Sequence, residues 1–205
     1  RSFRSEKVST AISSLLEDEK KQAENSIKEI NHLYPIKITR SIAKAKNWLR
    51  DKARGSERYG LLVSSGARRL KPLGLFAGIV SEKDSPNWFL NNPEDIRSSY
   101  ALEDPATEFQ VQGLELDWAG IIWDGDLIKT KSSWLYKSFK GTKWMNINKS
   151  IDQKYKLNAY RVLLTRARQG MVIVIPEGDE KDPTRQSEIY DPTWEYLKDI
   201  GIDVI

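Results

Sequence analysis

Apolar positions along the chain recur with two periods that take turns. After Ser5, which has the character of a helix N-cap with Glu6 close behind, Val8, Ile12, Leu15 and Leu16 fall at helical spacing. The charged stretch Glu17 to Gln22 interrupts the pattern, and Ala23, Ile27 and Ile30 mark a second short helix. Ile36 and Ile38 alternate as a short strand, and Ser41 caps a third helix with Ile42, Ala45, Trp48 and Leu49 on one face. Tyr59 to Ser64, Trp118 to Trp123 and Met171 to Ile175 are continuous apolar runs, as expected of parallel strands covered on both faces. The second closes at the turn Asp124-Gly125-Asp126 and the third at Pro176.

Gly66 to Pro93, rich in Gly, Pro, Ser and Asn, predicts loop with at most short pieces of structure. Trp134 to Trp144 alternates aromatic and basic residues around Lys140-Gly141 and predicts a hairpin. Leu157, Tyr160, Arg161, Leu164 and Thr165 predict a helix that ends near Gly170 as its C-cap. A last helix, Pro192 to Ile200, leads through Gly201 into a terminal strand, Ile202 to Ile205. Strands alternating with helices predict an α/β fold with a mainly parallel sheet, here one domain over 1–205 with a loop-rich insertion around 66–100.

Composition narrows the chemistry. The 205 residues include no cysteine, which excludes disulfides and cysteine-ligated zinc and fits a reducing cytoplasm. The single histidine, His32, makes a histidine metal site or Ser-His-Asp catalysis untenable; in its polar setting it is expected on a helix surface. No apolar run approaches the ~20 residues of a membrane span. The chain opens Arg1-Ser2-Phe3-Arg4 without a methionine or signal peptide, which suggests a start inside a longer protein. A net charge of +4, from 33 basic against 29 acidic residues, permits a nucleic-acid surface without requiring one.

Three segments carry candidate chemistry, and each alone also fits an ordinary role. Thr107 to Glu115 (Thr-Glu-Phe-Gln-Val-Gln-Gly-Leu-Glu) runs into a buried strand. There Gly113 would allow close backbone approach at a loop-to-helix turn, and Glu115 offers a carboxylate to a sugar hydroxyl; a plain polar turn is the alternative. Arg161 to Gly170 (Arg-Val-Leu-Leu-Thr-Arg-Ala-Arg-Gln-Gly) reads as a helix ending in arginines, which either complement the helix dipole or let Arg166 reach a γ-phosphate. Ser2-Phe3-Arg4-Ser5 pairs an aromatic with an arginine before a helix start, fit for stacking on a base and gripping a phosphate, or for a simple helix lead-in.

In this order and spacing, the three resemble motifs of the second RecA-like domain of superfamily 1 helicases. The resemblance implies that Phe3 stacks on adenine, that Arg4 and Arg166 act as arginine fingers on the γ-phosphate, and that Gln112-Gly113-Leu114-Glu115 brings Glu115 to the ribose. Thr107 matches a position that commonly touches the nucleic-acid backbone. The strings Ser98-Ser99-Tyr100, Ala106-Thr107-Glu108-Phe109, Gln112 to Trp118, Lys140-Gly141-Thr142-Lys143-Trp144, Asn158 to Arg168, Asp182-Pro183-Thr184-Arg185 and Tyr190-Asp191 resemble, more narrowly, the Schlafen-related group 3-like DNA/RNA helicase domains of bacterial ATPases.

The chain departs from the full pattern in having no G-x-x-x-x-G-K-[ST] loop and no Asp-Glu metal motif, both features of the first RecA-like domain. The resemblance therefore implies ATP and Mg2+ held mainly by an N-terminal RecA-like domain of the same parent, with DNA or RNA, expected to be single-stranded, as the other partner. The fragment alone is expected to be inactive. A non-catalytic module that uses ATP as a switch for nucleic-acid or protein binding is the alternative. Arg68 and Arg69, just past the strand Tyr59 to Ser64, could grip phosphates or form solvated loop. Trp118 and Trp123 are expected in the core rather than on bases, and Asp124 and Asp126 in a turn rather than on a metal.

Overall fold

The computed structural model describes residues 3–205, with the side chain of Phe3 outside the description. Six strands form one sheet: β1 (Ile36–Thr39), β2 (Tyr59–Val63), β3 (Ala106–Thr107), β4 (Leu116–Ile122), β8 (Ala167–Val174) and β9 (Asp203–Val204). Their order is β3-β2-β4-β8-β1-β9, and each neighbouring pair is parallel. Helices α1 (Phe3–Leu16), α2 (Lys20–Ile30), α3 (Ile42–Lys52), α5 (Ser150–Leu164) and α6 (Ser187–Asp199) flank it, giving an α/β fold of the RecA-like kind. No helix among the described residues is long and apolar enough to cross a membrane.

The continuous apolar runs are explained by the two layers. Leu61, Val63, Val172 and Val174 pack with Ala45 and Leu49 of α3, whereas Leu62, Met171 and Ile173 join α1, α2, α5 and α6 on the other side. Successive side chains of a strand point to opposite faces, so a strand covered on both has no position left for a polar residue. Gly120 sits where a Cβ would lie 3.0 Å from Leu49 Cδ1, which sets how closely α3 approaches β4. Ser41 caps α3 as expected, accepting the amide of Lys44 at 3.2 Å.

Several boundaries differ from expectation. Helix α1 already includes Phe3, so Ser5 lies inside it and is not its cap. Helix α5 stops at Leu164, where the Thr165 hydroxyl folds back to donate to the Arg161 carbonyl at 2.7 Å. Arg168, Gln169 and Gly170 belong to β8. Gly170 is therefore no C-cap; a Cβ there would meet the Pro35 carbonyl oxygen and the Trp118 ring, each at 2.7 Å. Gly113 precedes a strand, not a helix. Its φ of +82° demands glycine, while the space around it is open, so conformation and not close approach selects it. Helix α6 begins at Ser187 and carries Pro192 in its interior, and His32 lies exposed in the turn after α2 rather than on a helix.

The segment 66–100 holds a 3-10 turn (Lys71–Leu73), the short helix α4 (Ser85–Leu90) and a second 3-10 turn (Ser99–Ala101). Arg58 ties it to the sheet, donating to the carbonyls of Trp88 and Asn91 and to the Ser99 hydroxyl, and lying 4.4 Å from the Tyr100 ring. β5 (Leu127–Lys129), β6 (Trp134–Lys140) and β7 (Lys143–Asn146) make a separate antiparallel sheet. It contains the expected hairpin, with Lys140 opposite Lys143 at its tip.

Candidate functional site

Two of the three motif segments meet at the N-terminal ends of β4 and β8. The Gly113 turn and the end of α5 are joined by Arg166, whose Nη1 donates to the carbonyls of Val111 (3.1 Å) and Leu114 (3.0 Å). Its own carbonyl accepts the Leu116 amide, tying it to the first residue of β4. Burial pushes the Arg166 guanidinium below its ordinary value, and the nearby Glu115 carboxylate opposes that shift. Half-buried and fixed from two sides, it is a preorganised planar donor.

Glu115 is 65% exposed, and Gln112 and Gly113 stand exposed beside it. Arg168 Nε lies 4.0 Å from Glu115 and 3.9 Å from Asp117. Between Leu116 and Trp118 the β4–β8 register shifts, so β8 accommodates an extra residue at Arg168-Gln169. Such a bulge re-aims the side chains it carries, here towards Glu115 and Asp117 at the start of β4. Arg4 is exposed in the first turn of α1. An ion pair between Lys7 and Glu29 fastens that end of α1 to the end of α2, which leads through Tyr34, a donor to the Ala167 carbonyl, into the same edge of the sheet. The expectation that Phe3 is an adenine platform falls on a side chain outside the described residues.

The opposite edge, at the carboxyl ends of the strands, holds a buried polar hub that the turn Asp124-Gly125-Asp126 did not announce. Asp126 accepts from the Ser64 hydroxyl (2.5 Å), the Tyr160 hydroxyl (2.6 Å) and Lys156 Nζ (2.8 Å). Asp124 accepts from the Arg69 amide (2.8 Å) and the Tyr190 hydroxyl (2.9 Å). Burial, reinforced by the charge of Asp126, pushes the Asp124 carboxyl up to about 7. The same burial and both carboxylates push the Tyr160 hydroxyl well above its usual range. With these partners the pair acts as a junction between β4, α5, α6 and the loop after β2.

The residues expected on nucleic acid separate here. Arg68 is exposed. Arg69 is engaged inwards, donating to Asp182 (2.8 Å) and Thr184 (2.7 Å) and lying 5.4 Å from the Phe139 ring. Thr107 is 1% exposed, with its amide and hydroxyl both turned to Gln110. Trp118 and Trp123 are core, as expected, and each also spends its indole N–H, on Glu57 and on the Leu127 carbonyl. Between the 108–112 loop and α5, sequence reasoning missed an open groove flanked by Phe109 and Tyr155; its only signal was an aromatic interleaved with lysines at Lys154-Tyr155-Lys156.

A family model described as Schlafen group 3, DNA/RNA helicase domain, matches residues 1–177. A search of curated proteins returned no match.

Proposed function

Because the chain belongs to the Schlafen group 3 DNA/RNA helicase domain family, we propose that it is the second RecA-like half of an ATP-dependent DNA/RNA helicase or translocase of superfamily 1. The observation that carries this reading is the junction of Arg166 with the Gly113 turn, beside Glu115, at one exposed edge of the sheet.

ATP with Mg2+ would supply the triphosphate and its charge neutralisation, and a P-loop domain in the same parent would hold most of it. This chain's residues fit the remaining side. Glu115 accepts from the ribose hydroxyls, Gln112 and Gly113 shape the turn around it, and the resemblance assigns Phe3 to adenine. Arg4 and Arg166 approach the γ-phosphate, where a fixed guanidinium gains strength as charge moves onto the transferring oxygens. Domain closure on ATP would then move one half over the strand relative to the other.

Glu115 provides the test. In the intact parent, Glu115→Ala should raise KM for ATP by more than it lowers kcat, since a ribose contact is mostly uniform binding. Steady-state ATPase kinetics with an unchanged KM would remove Glu115 from the nucleotide. ATPase stimulated by a single strand but never coupled to movement or strand separation would favour the ATP-switched binding module instead.

A further inference from the structure

The two carbonyls that grip Arg166 belong to one short turn. Val111 and Leu114 both offer their oxygens to Nη1 of Arg166, and the Leu114 amide itself donates to the Val111 carbonyl at 3.1 Å. Both hydrogens of Nη1 are thereby spent on the turn, while among the described residues nothing accepts from Nη2. The third contact, from Nε to the Val162 carbonyl, is stretched to 3.5 Å. The place of the Val111 carbonyl therefore decides the place of the guanidinium. Residues 108–113 belong to no helix or strand. A carbonyl in such a segment stays in one position only if ties from outside the segment hold it.

Those ties come from Thr107. It is the last residue of β3 and lies opposite Val63 of β2, so it moves with the sheet. Its carbonyl accepts the Val111 amide at 3.2 Å. Its amide donates to Gln110 Oε1 at 2.8 Å, and its hydroxyl donates to the same oxygen. Thr107 is buried, so neither donor has water to turn to if Gln110 is withdrawn. Gln110 itself is half-buried, between an exposed Phe109 and a Val111 whose side chain sits in the core. Glu108 adds a second brace, accepting the Ser65 amide and hydroxyl at 2.8 and 2.6 Å. One side-chain oxygen, that of Gln110, thus fastens the residue before Val111 to the sheet.

We propose that Gln110 is a positioning residue for Arg166: by accepting from Thr107 it fixes the Val111 carbonyl, and through that carbonyl the reach of the guanidinium towards the γ-phosphate. The inference rests on the reading above that Arg166 acts as a finger, and it deepens that reading. The resemblance gives Gln110 no role and gives Thr107 a different one. A glutamine suits the position because its oxygen carries two lone pairs, one for each donor of Thr107. Methylene groups between oxygen and backbone let the side chain fold back three residues. Such fixing matters in the rate, since a displacement of about 1 Å at a group acting on the transition state costs on the order of 10²-fold.

The test is steady-state ATPase kinetics of the intact parent carrying Gln110→Met, Gln110→Glu, Arg166→Ala, or Gln110→Met together with Arg166→Ala. Methionine keeps the length of glutamine without a strong acceptor, so kcat should fall about 10²-fold with KM for ATP unchanged. Glutamate keeps an acceptor at the same reach and should retain most of the wild-type kcat. In Arg166→Ala, adding Gln110→Met should change the residual kcat little, because nothing is left to position. A merely structural loss would lower kcat by the same factor in both backgrounds, and that result overturns the proposal. So does a raised KM with unchanged kcat, or a kcat for Gln110→Glu as low as that for Gln110→Met. Near-normal kcat in Gln110→Met beside a collapsed kcat in Arg166→Ala overturns the positioning role and leaves the finger intact. Near-normal kcat in Arg166→Ala removes the finger and the positioning role together. If Gln110→Met does not fold, Thr107→Val, which deletes only the hydroxyl donor, takes its place in both backgrounds. It should give a smaller fall in kcat alone and no further fall beside Arg166→Ala.

Discussion

Replacing Asp126 with alanine removes the carboxylate on which Ser64, Lys156 and Tyr160 converge. Two of the stranded partners cannot simply turn to water: Tyr160 is fully buried and the Lys156 side chain is 12% exposed. Breaking a buried ion pair by deleting one member costs ~3–5 kcal/mol. An unsatisfied buried hydroxyl costs about 1–3 kcal/mol. The two losses share one site and do not add, so the expected destabilisation is about 3–5 kcal/mol in total. For a domain of this size that is a fall in melting temperature of roughly 6–20 °C. Asp126→Asn, which keeps the shape and an acceptor, should lose less. Urea unfolding of wild type, Asp126→Ala, Lys156→Met and the double variant measures the coupling, expected at about 1–3 kcal/mol. A loss below ~1 kcal/mol for Asp126→Ala, or zero coupling to Lys156, would refute the description of this hub as a buried charge held by its partners.

Two further predictions follow from the same edge of the sheet. Asp124 titrates higher in the folded protein than in the unfolded chain, so its stabilising contribution is complete below about pH 4 and is lost as pH rises through about 7. Asp124→Asn should therefore lose less stability than wild type between pH 5 and pH 8 in urea unfolding; an equal or steeper loss contradicts the assignment. Arg68→Ala should lower the slope of log K against log salt by about 1 if Arg68 meets a phosphate. Arg69→Ala should instead cost about 1–3 kcal/mol of stability, because Asp182 loses one of its two arginine partners, Arg185 being the other, and Thr184 loses a charged donor; a changed slope with unchanged stability would reverse the two roles.

The layered core was legible because its signal is local. Leu61, Leu62 and Val63 sit in a short continuous apolar run that reads as a strand covered on both faces, and Ser41 could be recognised as a cap from its own type and position. The end of α5 was not legible, because helix period and strand run together in Arg166 to Gly170. What decides the boundary there is Gly170 lying against Pro35 and Trp118, contacts distant in sequence. The hub shows the same limit. Asp-Gly-Asp after a buried strand looks like a turn, and only the fold brings Lys156, Tyr160 and Tyr190 onto its carboxylates. Among the motif residues, sequence spacing placed Glu115 and Arg166 in separate segments, and the fold set them immediately before the adjoining strands β4 and β8. Spacing could not show that Thr107 and Arg69 spend their polar atoms inside the protein, nor that Phe109 and Tyr155 are held out of it. The string Ser98-Ser99-Tyr100, noted in the sequence for its resemblance alone, acquires a physical role as the anchor of the insertion on Arg58.

The central claim is that Arg166 acts on the transferring phosphate, and one kinetic comparison tests it most directly. In the intact parent, ATPase turnover and nucleotide affinity should be measured separately for wild type, Arg166→Ala, Arg166→Lys and Arg168→Ala. An arginine finger contributes about 10³ to 10⁵ in rate, so Arg166→Ala should collapse kcat while ATP affinity changes little. Lysine should rescue poorly, because a point charge cannot reproduce the planar fork that Val111 and Leu114 orient. Arg168, exposed on the bulge of β8 and no closer than 3.9 Å to its acidic neighbours, should tolerate alanine far better. Near-normal kcat in Arg166→Ala, or greater damage from Arg168→Ala, would contradict the account.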